Sequence, residues 1–301
     1  MCGRTILLAA VASSLAIVGP AHPAVAAEPL PVVVTIPVLK DFVEQVGGAH
    51  VRVTSLLSGQ ENEHTYSPKP SDLVAVRKAG LFVEIGMGLE VWVGPLVRNA
   101  GNAGLRFVTT SDGVPRLTGH AAGPDPHGHA DGNPHIWLDP NNAKLMVGRI
   151  AEALAAADPA HAGDYSANES RYRRDIDVLE AELTGMLRGL PDRRLVVHHP
   201  AWPYFAKRFG FDIVGEIVTQ PGAEPSARHL QDLANKIKVE RLRVIVSEPQ
   251  LNQKLPRILA QESGARLVVL TAMPGGLPGT GTYLDMLRYN VVQLAQALRI
   301  S

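Results

Sequence analysis

The sequence predicts an α/β protein of two (β/α) lobes with mostly parallel sheets, joined by one long rigid helix. Three observations predict it. β-branched runs of strand length alternate with helical stretches early in the 301-residue chain, and near-continuous apolar runs mark strands buried on both faces. A long, highly charged stretch follows, too polar to be buried all round. Strand–helix alternation then resumes to the end of the chain.

Taken in order, Val32–Ile36, Val51–Leu57, Leu81–Ile85 and Leu105–Thr109 read as strands. Helices fit Lys40–Val46 and Ser71–Lys78, the latter opening on Ser71 and Asp72, where a capping side chain belongs. The segment His120–Asn133 has no apolar periodicity and reads as a Gly/Pro/His loop. Asn141–Ala157 is one helix, and Pro159 to about Arg188 is a second, whose Glu169, Arg171, Arg173, Arg174, Asp175 and Asp177 imply a solvated face. Leu195–His198, Phe211–Ile217, Val244–Val246 and Leu267–Leu270 are strands again. Helices at Trp202–Phe209, Ala227–Lys238 and Tyr283–Leu298 alternate with them. The expected division is a leader at 1–27, an N-terminal lobe at 28–140 with the loop at 119–133, linking helices at 141–190, and a C-terminal lobe at 191–301. Ligands of such sheets bind beyond the carboxyl ends of the strands, so the cleft between the lobes is the expected site.

The first 27 residues have the layout of a secretory signal peptide. Arg4 precedes an apolar run, Ile6–Val18, broken by Gly19-Pro20, and Ala24-Val25-Ala26 offers small residues for a cut near Ala26/Ala27. The run falls short of the roughly 20 residues that a membrane span needs. The single cysteine, Cys2, lies in this leader, so the exported chain has no thiolate ligand and any metal site must use His, Asp, Glu, backbone oxygen or water. Charge is balanced at 29 basic against 29 acidic residues, and no basic tract stands out, which argues against nucleic acid as a partner.

Three of the eleven histidines sit in contexts rich in proline and aromatic residues. These are Glu63-His64-Thr65-Tyr66-Ser67-Pro68-Lys69-Pro70-Ser71-Asp72, Asn133-Pro134-His135-Ile136-Trp137-Leu138-Asp139-Pro140, and His198-His199-Pro200-Ala201-Trp202-Pro203-Tyr204-Phe205. Proline fixes φ beside each histidine and lowers the entropic cost of placing the imidazole. Neutral imidazole is a good ligand for Zn²⁺. Spacing alone is a weak signal: there is no H-E-x-x-H, and a lone histidine is more often packed or capping than a ligand.

The three contexts together resemble the substrate-binding proteins of ABC importers for zinc and manganese (cluster A-I, the ZnuA/TroA type). The resemblance continues through Glu224-Pro225-Ser226, Ser247-Glu248-Pro249-Gln250 and Tyr283–Asn290. It implies two (β/α) lobes tied by one long helix, a metal between them, and His64, His135 and His199 as ligands. Of the adjacent pair, the motif places the ligand immediately before Pro-Ala-Trp, at His199; His198 is expected to pack away from the cleft, since neighbours on a strand face opposite ways. Many relatives carry an aspartate ligand where this chain has Thr271, a poor ligand for Zn²⁺. The fourth place is therefore open to water, to Glu63, or to a histidine of the loop. His120, His127 and His129 of that loop are expected to make weak accessory metal contacts. Imidazole suits Zn²⁺, whereas Mn²⁺ prefers oxygen, so the cargo expected is Zn²⁺. The implied role is periplasmic capture of Zn²⁺ by a monomer for the permease and ATPase of an inner-membrane importer, with a periplasmic metallochaperone as a further partner. The alternatives are a manganese- or iron-specific binder of the same family, or a zinc hydrolase with Glu63 or Glu248 as base. No motif supports a catalytic residue, and the expectation is a protein that is not an enzyme.

Overall fold

A computed structural model describes residues 28–117, 132–219 and 224–299. The leader and His120, His127 and His129 lie outside the described residues.

The N-terminal lobe is built on β1 (Leu30–Val34), α1 (Pro37–Gly47), β2 (Val51–Ser55), α2 (Pro70–Lys78), β3 (Leu81–Glu84), α3 (Val93–Ala100) and β4 (Arg106–Thr109). Its four strands are all parallel, in the order β2-β1-β3-β4. The central strands carry the runs Val32-Val33-Val34 and Leu81-Phe82-Val83, all buried, as sheets covered on both faces require. Edge strand β2 instead alternates half-buried and exposed positions. Asp72 caps α2 from inside its first turn, its Oδ2 accepting the Lys69 N–H at 2.7 Å. Helix α3 was not expected from the sequence, since Gly94 and Pro95 lower its propensity; both fall in the first turn, where proline costs no hydrogen bond.

The chain then crosses between lobes through α4 (Pro140–Ala157) and α5 (Ala162–Met186). Asp139 caps α4 by accepting the Asn141 N–H. The 25 residues of α5 span about 37 Å at 1.5 Å per residue. Only Tyr165, Tyr172, Ile176, Leu179 and Leu183 of it are buried, so its charged face is solvated as the sequence implied.

The C-terminal lobe repeats the plan with β5 (Arg194–Val197), α6 (Pro203–Phe209), β6 (Asp212–Glu216), α7 (Ala227–Glu240), β7 (Val244–Ser247), α8 (Lys254–Ser263) and β8 (Arg266–Val269). The order is β6-β5-β7-β8, again all parallel. Helix α8 is a second element absent from the sequence reading, with Pro256 tolerated in its first turn. Helix α9 (Tyr283–Arg299) closes the chain and packs along α5, β8 and α1.

The two lobes share their pairing pattern where the strand order reverses. The Thr35 N–H donates to Val83 O, and the Leu57 N–H donates to Thr35 O; in the second lobe the His198 N–H donates to Val246 O, and the Val218 N–H to His198 O. Crevices at such reversal points, beyond the carboxyl ends of strands, are where open α/β sheets hold ligands. One apolar core runs through both lobes, from Val32 to Leu298, and a smaller one lies between the second sheet and α7 and α8.

Candidate metal centre

Each side chain of the site leaves the carboxyl end of a strand. Glu63 and His64 lie on the loop after β2, His135 follows the connection after β4, and His199 stands two residues past β5. The structure brings all four together: a ligand atom from each lies within 4.8 Å of the others. His64 Nε2 and His135 Nε2 are 3.3 Å apart. A tetrahedron with Zn–N bonds of about 2.0–2.1 Å has an edge of about 3.3–3.4 Å, so this pair already has the separation of two ligands on one ion. The His199 ring stands nearly perpendicular to both others, with centroids 5.1 and 5.9 Å away.

Glu63 is almost fully buried, and its Oε1 lies 3.5 Å from His135 Nε2 with no hydrogen-bond partner. A buried carboxylate oxygen without a hydrogen bond is costly unless a cation compensates it. The Trp92 indole N–H fixes this loop by donating to Glu63 O at 3.0 Å. The carboxylate of Glu90 fixes the turn before Trp92, accepting from Thr35 Oγ1 and from the amides of Ile85 and Gly86.

The imidazoles are oriented from behind. Asn133 Oδ1 faces both the backbone N–H and Nδ1 of His135 at 3.0 Å, while its Nδ2 donates to Pro200 O at 2.7 Å. One amide thus ties the His135 segment of the first lobe to the residue after His199 in the second. His199 Nδ1 meets Glu248 Oε1 at 3.1 Å. Burial alone would lower the proton affinity of His199, but the charge and hydrogen bond of Glu248, with the charges of Glu63 and Glu216, hold it above the ordinary histidine value. His198 turns away, its Nδ1 2.7 Å from Ser247 Oγ, and burial lowers its proton affinity.

Thr271 is fully buried, but its hydroxyl is spent within its own loop: Oγ1 donates to Met273 O and accepts from Met273 N. Asn290 holds the Thr271 backbone on both sides. Among the described residues, Glu63 is the alternative for the fourth place that stands in the cluster. Asn133, Trp92 and Glu90 were not read as site residues from the sequence, and Glu248 was considered only as the base of the alternative hydrolase. Asn133 and Glu248 did stand inside quoted motifs, Asn-Pro-His and Ser-Glu-Pro-Gln.

Residues 32–297 match the family model described as ZnuA, zinc-uptake complex component A, periplasmic. The chain is 28% identical over 295 residues to the high-affinity zinc uptake system protein ZnuA of Brucella abortus, covering 85% of this chain and 88% of that one. It is 30% identical over 273 residues to the manganese-binding lipoprotein MntA of Halalkalibacterium halodurans, covering 88% and 87%. A crystal structure of a ZnuA deletion mutant with zinc bound superposes with a TM-score of 0.80 at 30% identity, covering 91% of this chain and 99% of that one. The chain is a member of the ZnuA family of metal-binding proteins.

Proposed function

We propose that this protein captures Zn²⁺ outside the cytoplasm and delivers it to the permease and ATPase of an ABC importer. His64, His135 and His199 are the nitrogen ligands and Glu63 fills the fourth place. The observation that carries the reading is the convergence of three imidazoles and one buried carboxylate, within 4.8 Å, between the two lobes. Three nitrogens and a single carboxylate favour Zn²⁺ over Mn²⁺, which prefers harder oxygen ligands. A periplasmic setting fits the signal-peptide layout of residues 1–27 and the family description. Among the described residues, no helix is long and apolar enough to cross a membrane. With Glu63 as a ligand and Glu248 behind His199, neither carboxylate is free to act as the base of a hydrolase, which favours the binding reading.

A manganese-binding relative and the carboxylate in the cluster favour one second reading, Mn²⁺ as cargo. Competitive titration of the metal-stripped protein with Zn²⁺ and Mn²⁺ separates the two. Zinc is expected to win, and alanine at His64, His135 or His199 is expected to weaken its binding by at least the 10–100-fold typical of residues that merely support a ligand. Preference for Mn²⁺ overturns the choice of metal; three alanine variants that bind zinc as the parent does overturn the ligand set.

A further inference from the structure

We propose that Glu248 is the residue that makes His199 a ligand: a buried carboxylate that fixes the imidazole with its Nε2 lone pair turned to the ion and supplies negative charge behind it. This rests on the metal-site reading above. Strands β5 and β7 are neighbours at the reversal point of the second sheet, His199 lies two residues past one, and Glu248 lies one residue past the other. The sheet itself therefore sets their separation.

The hydrogen bonds fix the direction of the pairing. Glu248 Oε1 accepts the indole N–H of Trp202 at 2.6 Å, and indole is a donor only. The same oxygen faces His199 Nδ1 at 3.1 Å, so that nitrogen is the N–H donor. In a neutral imidazole Nε2 is then the lone-pair nitrogen. The backbone of Glu248 is held too, its carbonyl accepting from the Gln253 side-chain amide at 2.6 Å.

Charge is the second part. Glu248 is fully buried and its Oε2 has no hydrogen-bond partner. Holding such a carboxylate only to satisfy one indole would be costly, since a neutral amide could accept the same bond. A dication on the far side of the imidazole compensates it, and a carboxylate partner makes imidazole a stronger donor. His135 has a neutral partner in the same position, the Asn133 amide. The support is thus asymmetric: an anion stands behind the ligand of the second lobe, and a neutral amide behind His135 of the first.

The test compares Zn²⁺ affinity, by chelator competition on the metal-stripped full chain, for the parent, Glu248→Gln and His199→Ala. Glutamine keeps the shape and the acceptor for Trp202 but removes the charge, so affinity is expected to fall about 10- to 100-fold, while urea unfolding of the metal-free variant shows a retained fold. A Glu248→Gln protein that binds zinc as tightly as the parent, where His199→Ala does not, overturns this proposal and leaves the site intact. An unaffected His199→Ala overturns the site reading, and this proposal with it. One measurement needs no variant: ¹⁵N-histidine NMR of the zinc-loaded parent is expected to show His199 protonated at Nδ1 and metallated at Nε2. Metallation at Nδ1 overturns the proposal.

Discussion

At the scale of single residues, two buried carboxylates near the site do different work. Glu63 meets the histidines directly, whereas Glu90 holds the turn that leads to Trp92 and so to the Glu63 loop. Burial, with the charge of Glu84, pushes the Glu90 carboxyl from 4.5 up to about 7, against the hydrogen bonds from Ile85, Thr35 and Gly86. A carboxyl raised in the folded state contributes stability below its unfolded value, and that contribution is lost as pH rises through the folded one. The metal-free protein should therefore lose stability between pH 5 and pH 8, by up to about 3 kcal/mol from this group at about 1.4 kcal/mol per pH unit. In Glu90→Gln the amide is neutral throughout, and its misfit to the Gly86 N–H is a cost independent of pH. Urea unfolding across that range should show a steeper decline for the parent than for the variant. Equal slopes would mean that Glu90 carries no such strain. His199, also raised, adds a decline of the same sign to both proteins and cancels in the comparison.

At the scale of elements, the segment Ile136-Trp137-Leu138 between His135 and α4 joins the lobes. The Trp137 indole N–H donates to Ala272 O at 2.7 Å, and Trp137 O accepts from Tyr283 OH at 2.8 Å, all buried. Trp137→Phe keeps most of the ring but leaves the Ala272 carbonyl without that donor, at a cost of about 1–3 kcal/mol. The expected result is a lower urea midpoint for the metal-free protein and weaker zinc binding, because His135 is two residues away; an unchanged midpoint would deny the bond its role. Much at this scale was legible in sequence. β-branched runs gave the eight strands, and the motif contexts, through the family resemblance, singled out three histidines that the structure brings together. Helices α3 and α8 were hidden because each carries proline at its third residue, not at its first as α6 does, and there it reads as a breaker although no hydrogen bond is lost. Glu63 stood undecided among three candidates, because only the folded loop decides whether a carboxylate beside a histidine points inward. Glu248 was illegible as a partner of His199, because their 49-residue separation closes only when β5 and β7 pair.

For the whole molecule, the question is how far the lobes move when the ion enters. Their junction is fastened at several separated points. Asn133 donates to Pro200 O, Trp137 to Ala272 O, and the Gln60 side chain to Gly275 O and Gly276 O. Arg208 of α6 grips Asp139, the cap of α4, through two nitrogens at 2.7 and 3.2 Å, and reaches Glu180 of α5 at 3.3 Å. Asp41 of α1 accepts from Tyr172 OH of α5 and from the Tyr283 N–H of α9. The apolar core continues across the same junction. A wide hinge opening would break several buried hydrogen bonds at once, each costing about 1–3 kcal/mol when a partner is left buried. Hinge-closing binding proteins rotate about a few loop residues; here α5 and α9 brace both lobes, and small shifts of the loops bearing Glu63, His64 and His199 suffice to admit the ion. Small-angle scattering of the metal-stripped and zinc-loaded chain should give the same radius of gyration within error, while an ion that binds only the folded state is expected to raise the thermal midpoint. A clear contraction on adding zinc would show that the junction opens as a hinge, and that the fastenings around Asn133, Trp137 and Arg208 are remade with each cycle of capture and release.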